Sequence, residues 1–265
     1  MSRLAADGRV IAVLWRRDLV LFARQKSRIA GTLIQPILFW LAIGSGMAPT
    51  FRLGSGGIGY LGYFFPGTLV MLVLFSSIFA TMSVIEDRHQ GFLQGVLVSP
   101  GSRASIVLGK ALASTTVALV QAALFVLLAP LAGFALGSVA WGSLFVALGL
   151  TALALAGLGF TIAWWLDSTQ GYHVVMSLVL FPAWILSGAM FPPEGLPAAM
   201  RGILRFNPMS YSVSALRRAL HGGALPPGTG LPGVGPASEF LVVAGLAVIT
   251  VATAAWYCSR APAAA

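Results

Sequence analysis

The chain has 265 residues, 58% of them hydrophobic and only 9% charged, with a formal net charge of +9. A soluble domain carries about 25% charged residues, so this composition excludes a free-standing soluble enzyme or binding module and indicates one integral membrane domain. A single cysteine, Cys258, excludes an internal disulfide and a cysteine-based metal cluster.

The first thirty residues form an amphipathic segment. Arg9, Arg16, Arg17 and Asp18 interrupt any signal-peptide core, so the N-terminus is expected to be retained. Between residues 10 and 28, apolar clusters alternate with basic residues: Arg16, Arg17, Arg24, Lys26 and Arg28. This fits a helix lying on the inner leaflet, attracted to anionic lipid by about 1 kcal/mol per cation. It equally fits plain positive-inside flanking charge.

About twenty apolar residues cross a bilayer, and charged residues bound the candidate spans. Residues 31–191 hold five, expected at 31–49, 62–85, 111–131, 142–166 and 171–191. The run between Lys110 and Asp167 is too long for one helix, and GFALGSVAW (133–141) supplies its break. Pro182 lies inside the fifth span and should kink it. A sixth span, 240–257, belongs to the C-terminal section 238–265. Six spans put both termini on one side, and the Lys/Arg bias, eleven against five, makes that side the cytoplasm.

Residues 86–100 (EDRHQGFLQGVLVSP) are a polar island between the second and third spans. Glu86 and Asp87 extend the second span, followed by Arg88, His89, Gln90 and Gly91; Phe92, Leu93, Val96 and Leu97 make an apolar face, and Ser99-Pro100 ends the helix. Such a helix packs either on its own spans or in a partner's groove.

Residues 192–237 hold a second irregular section on the outer side. Two short helices are expected, 197–206 beginning at Pro197 and 208–220 beginning at Pro208, with Asn207 as N-cap and Arg201, Arg205, Tyr211 and Arg217 among their polar residues. Each is too short to span, so the pair should dip into the outer leaflet and return with its arginines snorkelling at headgroup level.

Other chemistries lack their residues. No ionisable side chain falls near the middle of a span, which disfavours proton- or sodium-driven transport, although sodium sites built from backbone carbonyls stay open. There is no H-E-x-x-H, Ser187 has no evident base, and Gly109-Lys110 is followed by Ala111 where a phosphate loop needs Ser or Thr. No catalytic or metal site is expected, no cofactor is expected on this chain, and any ATP must be used by another subunit.

Two patterns in order around six spans carry a resemblance: Glu86, Gly91, Leu93, Leu97, Val98, Ser99 and Pro100 followed by Gly109-Lys110, then L-S-G-x-x-F-P…L-P…N-P-x-x-Y…L-R between Leu186 and Arg217. Over nearly its whole length the chain resembles the permease subunits of ATP-binding-cassette transporters of the type 2 exporter family, which includes bacterial drug, polysaccharide and nodulation-factor exporters. The resemblance implies an all-α permease of six transmembrane helices in a bacterial inner membrane, with an N-terminal interfacial helix, a cytoplasmic coupling helix between spans two and three, and two re-entrant helices before span six. It further implies a second permease copy and a separate cytoplasmic ATPase using ATP and Mg. Coupling would fall to 86–100, outer closure to the pair before span six, and the pathway to spans one, two and five of both copies.

Within those spans Gln35, Ser76, Ser77, Thr81 and Ser187 are polar, each either a substrate contact or an interhelical hydrogen bonder. An ATP-independent channel or scaffold subunit is the alternative, and a membrane enzyme using His173 and Ser187 a distant third. Drug, lipid and lipid-linked glycan all suit the apolar interior.

Overall fold

The computed structural model describes residues 3–49, 51, 59–92, 95, 101–166, 168–194 and 196–260. Leu93, Leu97 and Pro100 of the island lie outside the described residues. Among the described residues every regular element is helical. In chain order they are α1 (Arg3–Arg24), α2 (Lys26–Met47), α3 (Tyr60–His89), α4 (Arg103–Val126), α5 (Trp141–Trp165), α6 (Thr169–Ala189), α7 (Ala198–Phe206), α8 (Pro208–Leu220) and α9 (Pro236–Arg260). Six of these, α2 to α6 and α9, are long and apolar enough to cross a membrane, making this a multi-pass membrane protein.

α3 is the axle of the bundle. It is apolar all round and buried on nearly every side, as such a helix must be, and α2, α4, α5 and parts of α6 pack around it. α9 closes the bundle against α5 and α8. Apolar burial gives little drive between helices already in lipid, so packing and interhelical hydrogen bonds carry the assembly. Trp184 is an example: its ring meets Phe39, Phe64 and Phe181, while its Nε1 donates to the Gly67 carbonyl at 2.8 Å.

The third span starts at Arg103, well before the expected residue 111. Ser102 caps it, its side chain accepting from the Ser105 amide. Arg103 and Lys110 did not have to be excluded from the helix, because each is paired: Arg103 donates to the carbonyls of Cys258 (3.0 Å) and Ser259 (3.2 Å), and Lys110 reaches two carboxylates. Charge marked the boundary wrongly because both cations find acceptors within the protein, carbonyls for Arg103 and carboxylates for Lys110. The break between α4 and α5 falls as expected, in two short 3-10 turns, Ala129–Ala132 and Leu136–Ser138.

Pro182 of α6 sits in a regular helical turn, Phe181–Trp184, with irregular stretches on both sides, and the kink falls at Leu186 and Gly188 rather than at the proline as expected. Met176–Leu180 and Ile185–Ala189 are π-helical, and Gly188 has φ +75, a conformation costly to any residue with a Cβ. Carbonyls freed by such a break need partners inside the protein. Asn207 Nδ2 donates to Ala183 O, Tyr63 OH to Gly188 O (2.7 Å) and Tyr60 OH to Met190 O (3.1 Å).

The two short helices form within a residue of their expected bounds, and Asn207 caps α8 by accepting from the Met209 amide. Their environment differs from the expectation of arginines at headgroup level. α8 is buried on most of its surface, and Arg217 is only 2% exposed. Arg218 pairs with Glu239, which is fully buried. The reason is that α6 and the 222–235 coil offer acceptors that only a buried cation can reach. Arg201 and Arg205, on α7, do stay exposed.

Candidate coupling site

Four charged side chains from three helices meet at the end of the bundle that carries α1, the C-terminal end of α3 and the start of α4. Arg17 lays its guanidinium along Asp87, Nη2 to Oδ1 at 2.6 Å and Nη1 to Oδ2 at 3.0 Å. Lys110 Nζ donates to Asp87 Oδ2 at 2.6 Å and to Asp18 Oδ2 at 3.1 Å, and Arg17 Nη1 closes the ring on Asp18 Oδ1 at 3.0 Å. Two cations and two carboxylates balance, which is what lets Asp87 and Lys110 sit 4% and 3% exposed. Burial alone would make Arg17 less basic. The hydrogen bond and charge of Asp87, helped by Asp18, outweigh it and raise the guanidinium above its ordinary value.

The helices are held close enough for this by local chemistry. Leu14 of α1 packs on Ile106 of α4. At Gly109 a Cβ would stand 3.1 Å from both Ile11 O and Leu14 Cβ, so the glycine permits the approach. Asp7 accepts from the Ser102 amide, and Trp15 Nε1 donates to Thr116 at 3.0 Å. Thus α1 docks on the bundle, while Arg16, Arg24 and Lys26 face outward with Val13, Val20 and Leu21. Arg28 is half-buried, donating to Gln25 at 2.9 Å.

Of the island residues, Asp87 turns inward and Phe92 follows it, its ring 3.7 Å from the Arg17 guanidinium carbon. Arg88 crosses to α5, donating to Trp164 O at 3.0 Å and lying over the Trp164 ring. His89, Gln90 and Gly91 are exposed. Glu86 is half-buried and borders two spaces. One is a cavity of about 50 Å³ shared with Asp18, Arg28 and Lys110, and the other a groove of about 390 Å³ toward the start of α6.

At the opposite end Arg217 is the centre. It donates to Thr229 O (2.7 Å), Gly188 O (3.1 Å) and Tyr63 O (3.4 Å), and lies over the Tyr63 ring. Nearby, Arg205 donates to Pro232 O at 2.9 Å and Tyr211 OH to Arg205 O at 2.9 Å. Pro197 and Pro208 start the two helices that hold these residues.

The polar span residues separate into two groups. Ser76, Ser77, Thr81 and Ser187 are buried inside the protomer. Ser76 bonds Gln121, Thr81 bonds Tyr172 (2.8 Å), Ser77 Oγ reaches Ala152 O (3.4 Å), and Ser187 donates to Trp184 O (2.6 Å). Gln35 alone of the five is exposed, on the α2 face that also presents Ile34 and Leu38. Asp18 and Lys110 were missed as site residues. Their signal was a lone carboxylate in a basic segment and a lone lysine inside an apolar run. Among the described residues no group of three or more His, Cys, Asp or Glu side chains is placed to hold a metal ion.

Residues 9–221 match the family model described as ABC-2 type transporter. The chain is 30% identical over 217 residues to nodulation protein J of Rhizobium leguminosarum bv. trifolii, covering 79% of this chain and 80% of that one. It is 28% identical over 233 residues to nodulation protein J of Rhizobium meliloti, covering 85% and 86%. It is also 24% identical over 234 residues to the daunorubicin resistance ABC transporter permease protein DrrB1 of Streptomyces coeruleorubidus, covering 84% and 78%.

Proposed function

Since the chain belongs to the ABC-2 type transporter family, we propose that it is the membrane permease of an ATP-driven exporter, with both termini in the cytoplasm of a bacterial cell. A separate ATPase subunit, using ATP and Mg, would bind the 86–100 segment, and a second permease copy would complete the pathway. The substrate moved would be hydrophobic or lipid-linked, and anionic lipids would hold the cationic outer face of α1.

The observation that carries this reading is the closed ring of Arg17, Asp18, Asp87 and Lys110 with Phe92 stacked on Arg17. A push on the island is thereby delivered to α1, α3 and α4 together, and α1 runs directly into the first span through Gln25. The outer pair before α9 would close the far end, with Arg217 holding the broken α6. Gln35, exposed on α2, is the polar residue best disposed toward a shared pathway.

Reconstitution with a cognate ABC ATPase subunit tests the reading. Stimulated hydrolysis and ATP-dependent substrate movement into inside-out vesicles are expected, and Leu93→Glu should abolish both at matched membrane levels. Unchanged transport in that variant removes the coupling role. Nucleotide-independent flux would point instead to a channel.

A further inference from the structure

Glu86 is a carboxylate that the ring of charges leaves out. Its neighbours on the same end of the bundle are committed: Asp18 and Asp87 to Arg17 and Lys110, Asp7 to the Ser102 amide. Among the described residues no donor is hydrogen-bonded to the Glu86 carboxylate. Arg28, within electrostatic reach across the small cavity, donates from Nη1 to Gln25, and its buried Nη2 makes no hydrogen bond to Glu86 or to any other group. A half-buried carboxylate without a donor forgoes the charge-assisted hydrogen bonds that normally offset its desolvation.

The groove Glu86 borders is lined also by His89, Gln90, Ser168, Thr169 and Gln170. Among the described residues its lining contains no lysine or arginine. An anionic head would find no lysine or arginine in the groove to pair with. A protonated amine finds a carboxylate there, with hydroxyl and amide oxygens to accept its remaining hydrogens. The groove also leads somewhere apolar. Gln170, Val174 and Leu178 fall at i, i+4 and i+8 of α6, and Val174 and Leu178 are exposed.

We propose that the groove between the inner end of α3 and the start of α6 receives the protonated amine of an amphiphilic substrate, with Glu86 as its counter-charge and the α6 face beyond Gln170 against its apolar tail. This rests on the export reading and names the substrate class that the reading leaves open.

The test uses the full chain in nanodiscs and two probes: a fluorophore-tagged decyl chain ending in a primary amine, and its N-acetyl counterpart. The amine should bind roughly tenfold tighter, as one charge-assisted hydrogen bond provides. Glu86→Gln should bring the ratio to near one, and Glu86→Asp should keep part of it. Gln170→Lys, which puts a cation in the groove without touching Glu86, should also erase the preference. Equal binding of the two probes to the unmodified protein overturns the proposal. So does a preference that survives Glu86→Gln, including the case in which that variant loses its ATPase, since Glu86 would then serve the partner. If the amine preference holds but ATP drives neither probe into proteoliposomes, the site stands and the export reading fails. If ATP drives both probes equally, export stands and the site fails.

Discussion

The two ends of the bundle each bury a cation, Lys110 at one and Arg217 at the other, and they do so with opposite kinds of partner. At the end that carries α1, Arg17 and Lys110 are held by carboxylates from two helices, α1 and α3, side chain to side chain. At the opposite end Arg217 is held by three backbone carbonyls, two of them in irregular chain at Gly188 and Thr229. Side-chain pairs between intact helices survive a rigid shift of those helices, because both partners travel together. Carbonyl bonds to a broken helix and a coil read the backbone itself, and are lost if that backbone changes. The Arg17 cluster is therefore suited to moving as a body, and the Arg217 cluster to holding a particular shape.

Removing the shared acceptor should give the largest effect. Asp87→Ala leaves Arg17 and Lys110 with Asp18 alone, and an uncompensated buried charge costs about 3–5 kcal/mol. Thermal unfolding in detergent should drop sharply, and Asp87→Ala with Lys110→Met should recover much of the loss because the excess cation is gone. A double variant as unstable as the single one would mean that the ring is not energetically coupled. Asp87→Lys is harsher still, so loss of transport there would mix a coupling defect with collapse of the α1, α3 and α4 junction.

Arg217→Lys probes the other end. A lysine keeps the charge but replaces a planar fork with a single point, so about 2–3 kcal/mol should be lost as one or two charged hydrogen bonds go. Proteolysis within 222–235 should accelerate, while Asp87→Ala should leave cleavage there unchanged. Cleavage that rises in both variants would show that the ends are not independent, and the contrast between them would fail.

Much of this was legible in the sequence, for physical reasons that also mark where it stopped. Asn207 followed by Pro208 specified the start of α8, because a side-chain cap and a fixed φ are local. Gly133 likewise marked the connection between α4 and α5, whereas in α6 the non-helical residues are Leu186 and Gly188 rather than the proline. Pairing over distance was not legible. Lys110 lies 23 residues from Asp87 and 92 from Asp18, and nothing in the local pattern says that a lysine at the edge of a span will be neutralised. The same blindness put Arg217 at the headgroups: a lone arginine on a short helix reads as surface until the broken α6 supplies its acceptors. Sequence patterns gave the island its place, but only the fold separates Asp87, which turns inward, from Glu86, which borders an open groove.

Between the ends lies a third polar contact, and it should matter least. Gln121 of α4 donates to Thr32 of α2 at 2.7 Å and accepts from Ser76 of α3. Gln121→Leu removes both interhelical bonds while filling a similar volume. Interhelical hydrogen bonds in membranes average about 0.6 kcal/mol, so a loss near 1 kcal/mol is expected in the same unfolding measurement. The remainder is small because Thr32 already donates to Arg28 O at 2.9 Å within its own helix, so the substitution strands only weak donors and acceptors. A double-mutant cycle with Thr32→Val should therefore give a coupling energy below 1 kcal/mol. A coupling above 2 kcal/mol would make the mid-bundle a third anchor. It would tie α2 to α3 and α4 in the membrane as firmly as the charges tie α1 to them at the surface, and α1 would no longer be the main route by which movement of the island reaches the first span.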